Sequence, residues 1–337
     1  MAPLRICKTI GSNAGTTLDL VVAAVLQTTI WGGGMMVGPL LSVGAPFVFF
    51  ALPRFSAALW VASAAVLAFL PSFPESPLFC RIYLRVASLL KGGSSLWIAD
   101  EVAPHVGDGV MVCYHPHGVI PLGFTLNGAI RAKTRQPKKY LSEEALISHR
   151  VSGVQAPILF RIPILRQMLQ LFGCTTPATK KEMFGLFSNQ MTFGIIPGGS
   201  EEVALHIKGR ERLYLKNRAG FLKYALQFGF KVVIAYNFGE SDLYQNVAAL
   251  QTWNMWLVQR FGFVLPLFWG RWWCPLLPRG DVELHTVFGR LLELPQIEKP
   301  SDEEVAKWHQ RYMTELTALF DEHKAQFGYA DRKLEIL

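Results

Sequence analysis

The chain has 337 residues, 51% of them hydrophobic, and a mean hydropathy of +0.26, which excludes a disordered chain and leaves room for one large domain plus an accessory segment. The net charge is +8, and between Arg131 and Lys223 sixteen Lys or Arg stand against six Asp or Glu, so the positive field surrounds the middle of the chain. The five cysteines (Cys7, Cys80, Cys113, Cys174, Cys274) are widely spaced and form no C-x-x-C pair, which argues against a disulfide framework or a cysteine zinc site and suits a reducing compartment.

In chain order, the first unusual feature is missing charge. None occurs between Asp19 and Arg54 or between Arg54 and Glu75, giving uncharged runs of 34 and 20 residues. A hydrocarbon core of about 30 Å takes roughly 20 apolar residues to cross as a helix. The runs predict one membrane helix over Leu18–Val37 and a shorter one over Phe55–Leu70, with turn chemistry between them at Gly38, Pro39, Gly44, Pro46 and Pro53. Arg5 and Lys8 precede this hairpin and Arg81, Arg85 and Lys91 follow it, with only Arg54 between, so the positive-inside rule places both ends in the cytosol. A pair of helices buried in a soluble fold is the alternative. The apolar stretch runs too long for a cleaved signal peptide. The expected division is residues 1–75 as membrane hairpin and 76–337 as a cytosol-facing domain.

From Gly109 the pattern alternates. "GVMVCY" reads as a buried strand, Leu122–Ala132 and "IPILRQMLQLFG" as helices, and "MTFGII" as a strand. "RAGFLKYALQFG" then reads as a helix closed by Gly229, and "KVVIAY" and "VELHTVF" as strands. Strands separated by helices predict an α/β fold with a mostly parallel sheet flanked by helices. Ser301 and Glu304 form a capping box for a final helix, whose face Val305, Trp308, Tyr312, Leu316, Leu319, Phe320 and Phe327 reads as core packing.

Two motifs fall in equivalent places. "HPHG" follows the strand ending near Tyr114, and "PGGSEE" follows the strand ending at Ile196. In open α/β sheets ligands sit beyond the carboxyl ends of the strands, so these loops are expected to meet at one cleft. A histidine there can take a proton from an alcohol, while Glu201 or Glu202 fixes its tautomer. Gly198 and Gly199 would let backbone N–H groups approach a reacting oxygen. No G-x-S-x-G elbow is present, so the attack would come from a substrate hydroxyl. The alternative is a pair of loops in which the histidines merely cap a strand and both acids are solvated.

"YHPHGVIPLGF", "IIPGGSEEV", "LKNRAGFLKYALQFG", "VIAYNFGESD" and "YMTELTALFDEHKAQFG" together resemble the type 2 diacylglycerol acyltransferase family, which includes monoacylglycerol and wax-alcohol acyltransferases. The resemblance runs in order from about Gly109 to Gly328. It implies a glycerolipid-acyltransferase-like fold behind an N-terminal membrane hairpin. It also implies acyl transfer from acyl-CoA to a lipid hydroxyl, at the endoplasmic reticulum and lipid-droplet surface, without a resident cofactor or metal. The family's H-P-H-G falls on His115, Pro116, His117 and Gly118, and its G-G-x-x-E on Gly198, Gly199 and Glu202, which favours Glu202 over Glu201. R-x-G-F falls on Arg218, Gly220 and Phe221, and F-G-E on Phe238, Gly239 and Glu240. The resemblance thus implies His115, His117 and Glu202 as catalytic, with Pro116, Gly118, Gly198, Gly199, Arg218, Gly220 and Phe221 binding substrate. In the wider superfamily a histidine ending this strand is the base, and the register favours His115. A Y-F-P tripeptide ahead of H-P-H-G is absent here, and the late G-R-P reads "GRL". Diacylglycerol is the first-choice acceptor, ahead of monoacylglycerol, lysophosphatidate or a long-chain alcohol.

Two basic clusters, "RAKTRQPKK" and "KGRERLYLKNR", could hold CoA phosphates or an anionic membrane. The aromatic segment Trp253–Trp273 suits a bilayer interface or an acyl channel, with core packing as the alternative. Expected partners are acyl-CoA, a neutral glycerolipid and a bilayer or lipid-droplet surface; no nucleic acid is expected, and a homo-oligomer is left open. Two other function classes compete. One is a metal-dependent lipid hydrolase using His115 and His117 with His149, His206 or His285; the other is a non-enzymatic membrane-shaping hairpin protein.

Overall fold

A computed structural model describes residues 4–11, 16–33, 58, 62, 71–99, 109–129, 152–264 and 267–337. The expected hairpin turn and most of its second arm lie outside these residues, as do the cluster at 131–139 and His149.

Eight strands form the main sheet: β1 (Leu4–Ile10), β2 (Ser94–Ala99), β3 (Val110–His115), β4 (Ser152–Gln155), β5 (Thr175–Pro177), β6 (Phe193–Ile195), β8 (Lys231–Phe238) and β11 (Leu284–Glu293). Their order is β1-β2-β11-β8-β3-β6-β4-β5. Five of the neighbouring pairs are parallel, and only β1 with β2 and β8 with β11 are antiparallel, so the α/β fold with a mostly parallel sheet is as expected. Short pairs join β7 (Glu211–Leu213) to β12 (Leu334–Ile336) and β9 (Gln245–Asn246) to β10 (Phe268–Trp269).

The central strands are apolar on both faces because helices cover both. On β3, Val110, Val112 and Tyr114 enter one core and Met111 and Cys113 the other; on β8, Val233 and Ala235 oppose Val232, Ile234, Tyr236 and Phe238 in the same way. The first core is closed by α1 (Thr17–Gly32), α2 (Pro77–Tyr83), the 3-10 helix Leu84–Leu89, the short α3 (Leu122–Phe124) and α4 (Leu165–Phe172). The second is closed by α5 (Lys180–Ser188), α7 (Gly220–Phe228) and α9 (Asp302–His323), while the short α6 (Gly199–Leu205) follows β6. Helix α8 (Gln251–Phe261) lies against α6. Both α4 and α7 stop at a left-handed glycine, Gly173 and Gly229, where a side chain would be strained.

The N-terminal segment differs from expectation. Strand β1 is hydrogen-bonded to β2, and α1 buries Ala23, Gln27 and Ile30 while exposing Leu18, Val21 and Val25. Gln27 meets Tyr244 and Tyr83 in the interior. Helix α1 has 16 residues, and among the described residues no helix is long and apolar enough to cross a membrane.

Candidate active site

Because side chains alternate along a strand, His115 continues the row Met111–Cys113 and points toward α9. It is fully buried, and its Nε2 lies 2.6 Å from the Tyr312 hydroxyl. Its Nδ1 lies 4.0 Å from Glu202 Oε1 and has no hydrogen-bond partner. The chain then turns through a cis His115–Pro116 bond. Pro116 is buried and His117 half-buried. His117 Nδ1 sits 3.1 Å from the Gly118 carbonyl, while its Nε2 takes no hydrogen bond from the described residues.

Two buried carboxyls pin this loop. Glu202, on the first turn of α6, accepts the His117 N–H at 2.9 Å and the Tyr214 N–H at 3.1 Å. Glu240, just beyond β8, accepts the Leu122 and Gly123 N–H groups at 2.9 and 2.6 Å. Gly118 (φ +64°) and Gly123 are glycine for a steric reason as well: a Cβ on either would run into the Glu240 side chain. The two loops do meet, because β3 and β6 are parallel neighbours whose carboxyl ends lie together and Glu202 bonds the His117 N–H.

At Gly199 the structure differs from expectation. The Gly199 N–H donates to the Ile196 carbonyl at 3.1 Å, so it is not free for a reacting oxygen. Gly198 caps α6, and a Cβ there would collide with the Glu202 carboxylate. Its smallness lets Glu202 fold back onto the His loop.

The two acids point different ways. Glu201 pairs with Arg218, which also lies over the Tyr214 ring, whereas Glu202 faces His115. Gly220 is exposed at the start of α7. Phe221 packs edge-on against Tyr312, with centroids 5.2 Å apart. The second basic cluster is partly spent internally, since Arg210 and Arg212 both bind Glu335.

Burial dominates the electrostatics. It pushes His115 down to about 3 and His117 down to about 4, so both imidazoles are neutral near pH 7, the state that accepts a proton. It pushes Glu202 and Glu240 up to about 8, against the pull of the N–H groups that each accepts.

Tyr312 was missed as a site residue. It stands on the helix face read as core packing, and periodicity cannot tell a phenol that packs from one that also bonds a histidine. Glu240 had been placed in a motif but given no role. For the metal reading, His206 turns its Nε2 to the Tyr244 carbonyl and His285 lies between Ser95 and Glu283. No group of three metal-donor side chains forms among the described residues. In the aromatic segment, Trp253, Trp256, Phe261, Trp269, Trp272 and Trp273 are exposed, Trp272 at 89%, so core packing does not explain them.

Comparison with known proteins bears on the same residues. Diacylglycerol O-acyltransferase 2 of Homo sapiens is 30% identical over 236 residues, covering 66% of this chain and 58% of that protein; for the Bos taurus protein the shares are 66% and 62%. The chain thus spans about three fifths of the length of these curated relatives. Human 2-acylglycerol O-acyltransferase 3 is 32% identical over 233 residues, covering 64% of each chain. Human acyl-CoA wax alcohol acyltransferase 1 is 31% identical over 232 residues, covering 64% of this chain and 67% of that one. Among solved structures, the 1-acyl-sn-glycerophosphate (LPA) acyltransferase PlsC of Thermotoga maritima matches with a TM-score of 0.41 and 13% identity, over 91% of this chain and 97% of that chain. The family model for diacylglycerol acyltransferase matches residues 105–337, from ahead of β3 through both pinned loops and Tyr312 to the last residue, and the chain belongs to that family.

Proposed function

We propose that this chain is an acyl-CoA-dependent O-acyltransferase that esterifies the free hydroxyl of a neutral glycerolipid, diacylglycerol before monoacylglycerol, lysophosphatidate or a long-chain alcohol. One observation carries the reading: a neutral, half-buried His117 is held at the carboxyl end of the sheet on a loop pinned by Glu202 and Glu240. The relatives, named for transfer to diacylglycerol, 2-acylglycerol and wax alcohols, support the reaction type more than any one acceptor.

In this reading His117 is the base. His115, favoured by strand register, has one ring nitrogen on Tyr312 and the other facing Glu202, so a substrate hydroxyl meets His117 first. His117 Nε2 takes the hydroxyl proton as the oxygen attacks the thioester carbonyl. The tetrahedral intermediate collapses with C–S cleavage, and the imidazolium returns the proton to the CoA thiolate. No covalent enzyme intermediate and no metal or resident cofactor takes part; acyl-CoA is a co-substrate. Arg218 at the rim is suited to the phosphates of CoA.

The setting we propose is the endoplasmic reticulum membrane or a lipid-droplet surface, with the site facing the cytosol. Supporting this are the uncharged run that continues beyond α1, the apolar outer face of α1 and the exposed tryptophans. Thr28 of α1 lies 3.8 Å from Cys274, which brings α1 beside the Trp269–Trp273 segment. The test is transfer of radiolabelled acyl-CoA by membranes carrying the protein, with the four candidate acceptors offered separately. The dominant product names the acceptor, and no product with any of them ends the proposal.

A further inference from the structure

We propose that Tyr312 is a positioning residue for this site: its hydroxyl fixes which nitrogen of His115 carries the proton, and so holds the His115–Glu202 contact beneath the loop that carries His117. The inference rests on the reading of this loop as the active site.

A neutral imidazole has one N–H donor and one acceptor nitrogen. Two groups face the His115 ring nitrogens, the Tyr312 hydroxyl from α9 and Glu202 from α6; Cys113, two residues earlier on the same strand, enters the same core as Tyr312. With the proton on Nε2, the bare lone pair of Nδ1 would face the Glu202 carboxyl oxygen at 4.0 Å, and Tyr312 would have to accept. With the proton on Nδ1, that N–H points at Glu202 and Tyr312 donates to Nε2 across 2.6 Å. Where Glu202 is ionised, only the second arrangement turns a donor toward each acceptor. Burial raises this acid to about 8, and its protonated form would donate to Nδ1 and favour the first arrangement, so the His115 tautomer is read above that pH.

The arrangement has a direct line to the loop, because the same carboxyl accepts the His117 N–H at 2.9 Å. It also has a rigid backing. Tyr312 is fully buried, Phe221 packs against its ring, and the residue sits mid-helix on α9, one turn before the buried Leu316. Burial raises the phenol's pKa well above its ordinary value, which keeps it a neutral donor at every working pH.

The experiment uses the full chain in detergent–lipid micelles, with ring-15N histidine for NMR. Tyr312→Phe removes the hydroxyl and keeps the ring. A buried acceptor left without its donor costs about 1–3 kcal/mol, or roughly 5- to 150-fold. The expected result is a fall in kcat of about tenfold or more, with KM for acyl-CoA within about twofold. The acidic limb of the pH–rate profile should move, and the His115 signal should shift from the Nδ1–H pattern toward a mixture of tautomers. Leu316→Ala is the packing control, expected to lower Tm while leaving the pH limb and the His115 tautomer in place. The proposal is overturned if Tyr312→Phe keeps the wild-type kcat, pH limb and tautomer, or if Leu316→Ala moves them equally. If Tyr312→Phe fails to fold, the wild-type spectrum decides: an Nε2–H signal for His115 overturns the assignment. A chain that acylates none of the acceptors would sink the proposed reaction, yet the tautomer measurement would still read the Tyr312–His115 link.

Discussion

Gly198→Ala tests the geometry most directly. Gly198 has ordinary right-handed helical angles, φ −70° and ψ −25°, so alanine costs nothing in backbone strain. Its Cβ would nevertheless overlap Oε1, the carboxyl carbon and Cγ of Glu202. Ordinary carbon contacts lie at about 3.5–4.0 Å, so the carboxyl must retreat by roughly 1.5 Å. That breaks the bonds at 2.9 Å from His117 N–H and 3.1 Å from Tyr214 N–H. Losing both costs about 2–4 kcal/mol at about 1–2 kcal/mol each. A misplacement of about 1 Å in a catalytic constellation costs about 10²-fold in rate. The assay is a double-mutant cycle with Glu202→Ala, scored by Tm in micelles and by acyl transfer where turnover remains measurable. Truncating Glu202 removes the three nearest atoms that this Cβ meets, and Gly198→Ala should then be neutral within about 0.5 kcal/mol. Full activity of Gly198→Ala, or an equal loss in the Glu202→Ala background, would refute the reasoning.

Alanine at His117 should lower turnover by at least ~10²-fold as the base is lost, and alanine at His115 by a similar factor because the ring beneath the loop is gone; near-normal rates in both, with folding intact, would end the mechanism. Glu202→Gln should lower kcat with little change in the apparent affinity for acyl-CoA, whereas Arg218→Ala should weaken that affinity, and steady-state kinetics separate the two. Glu240, raised from 4.5 to about 8 by burial, binds its proton more tightly folded than unfolded, so its contribution is full below about pH 4.5 and is lost as pH rises through about 8. The histidines are lowered and fall silent above about pH 6.5, so Tm should drop between pH 6.5 and 8, by about 1–2 kcal/mol of stability per raised acid, and Glu240→Gln should flatten that slope. Deleting residues 34–70, which spares the packed helix α1, should weaken membrane attachment without abolishing it, and terminal tags should both be digested in sealed microsomes with the cytosolic face outward; digestion of only one tag would rule out a hairpin.

Much of the centre of the fold was legible. Strands β3 and β8 are buried on both faces and so read as unbroken apolar runs, and α4 and α7 announce their ends with Gly173 and Gly229. β6 was legible as "MTFGII" despite its three residues, but β4, β5, β7 and β12 were not, because they too have only three or four residues and no apolar run long enough for a period to show. β1 escaped for another reason: its two charges, Arg5 and Lys8, stand three apart and so break the period of two, in a stretch dominated by the uncharged run that follows. At the site, the sequence placed both loops, and the family resemblance singled out Glu202, the acid that faces His115. It could not tell glycines that expose N–H groups from glycines that make room, since composition is identical in the two cases. Tyr312 shares its helix face with Val305, Leu316, Leu319 and Phe320, and its hydroxyl leaves no trace in the pattern.

The use of two glutamates under one loop has a physical reason. A carboxyl group offers two acceptor oxygens, and each buried acid here uses both: Glu202 for the N–H groups of His117 and Tyr214, Glu240 for those of Leu122 and Gly123. A glutamine has one acceptor oxygen and an NH2 group, so one backbone N–H would face another donor, at a cost of about 1–3 kcal/mol. The acids must then tolerate burial, and the raised pKa values express that cost. Glu240→Gln should therefore do two things at once: flatten the decline in stability toward pH 8, and lower stability at pH 6.5, where the wild-type acid is mostly protonated yet still accepts both N–H groups. A glutamine variant as stable as wild type at pH 6.5 would mean that the loop does not depend on the paired acceptors.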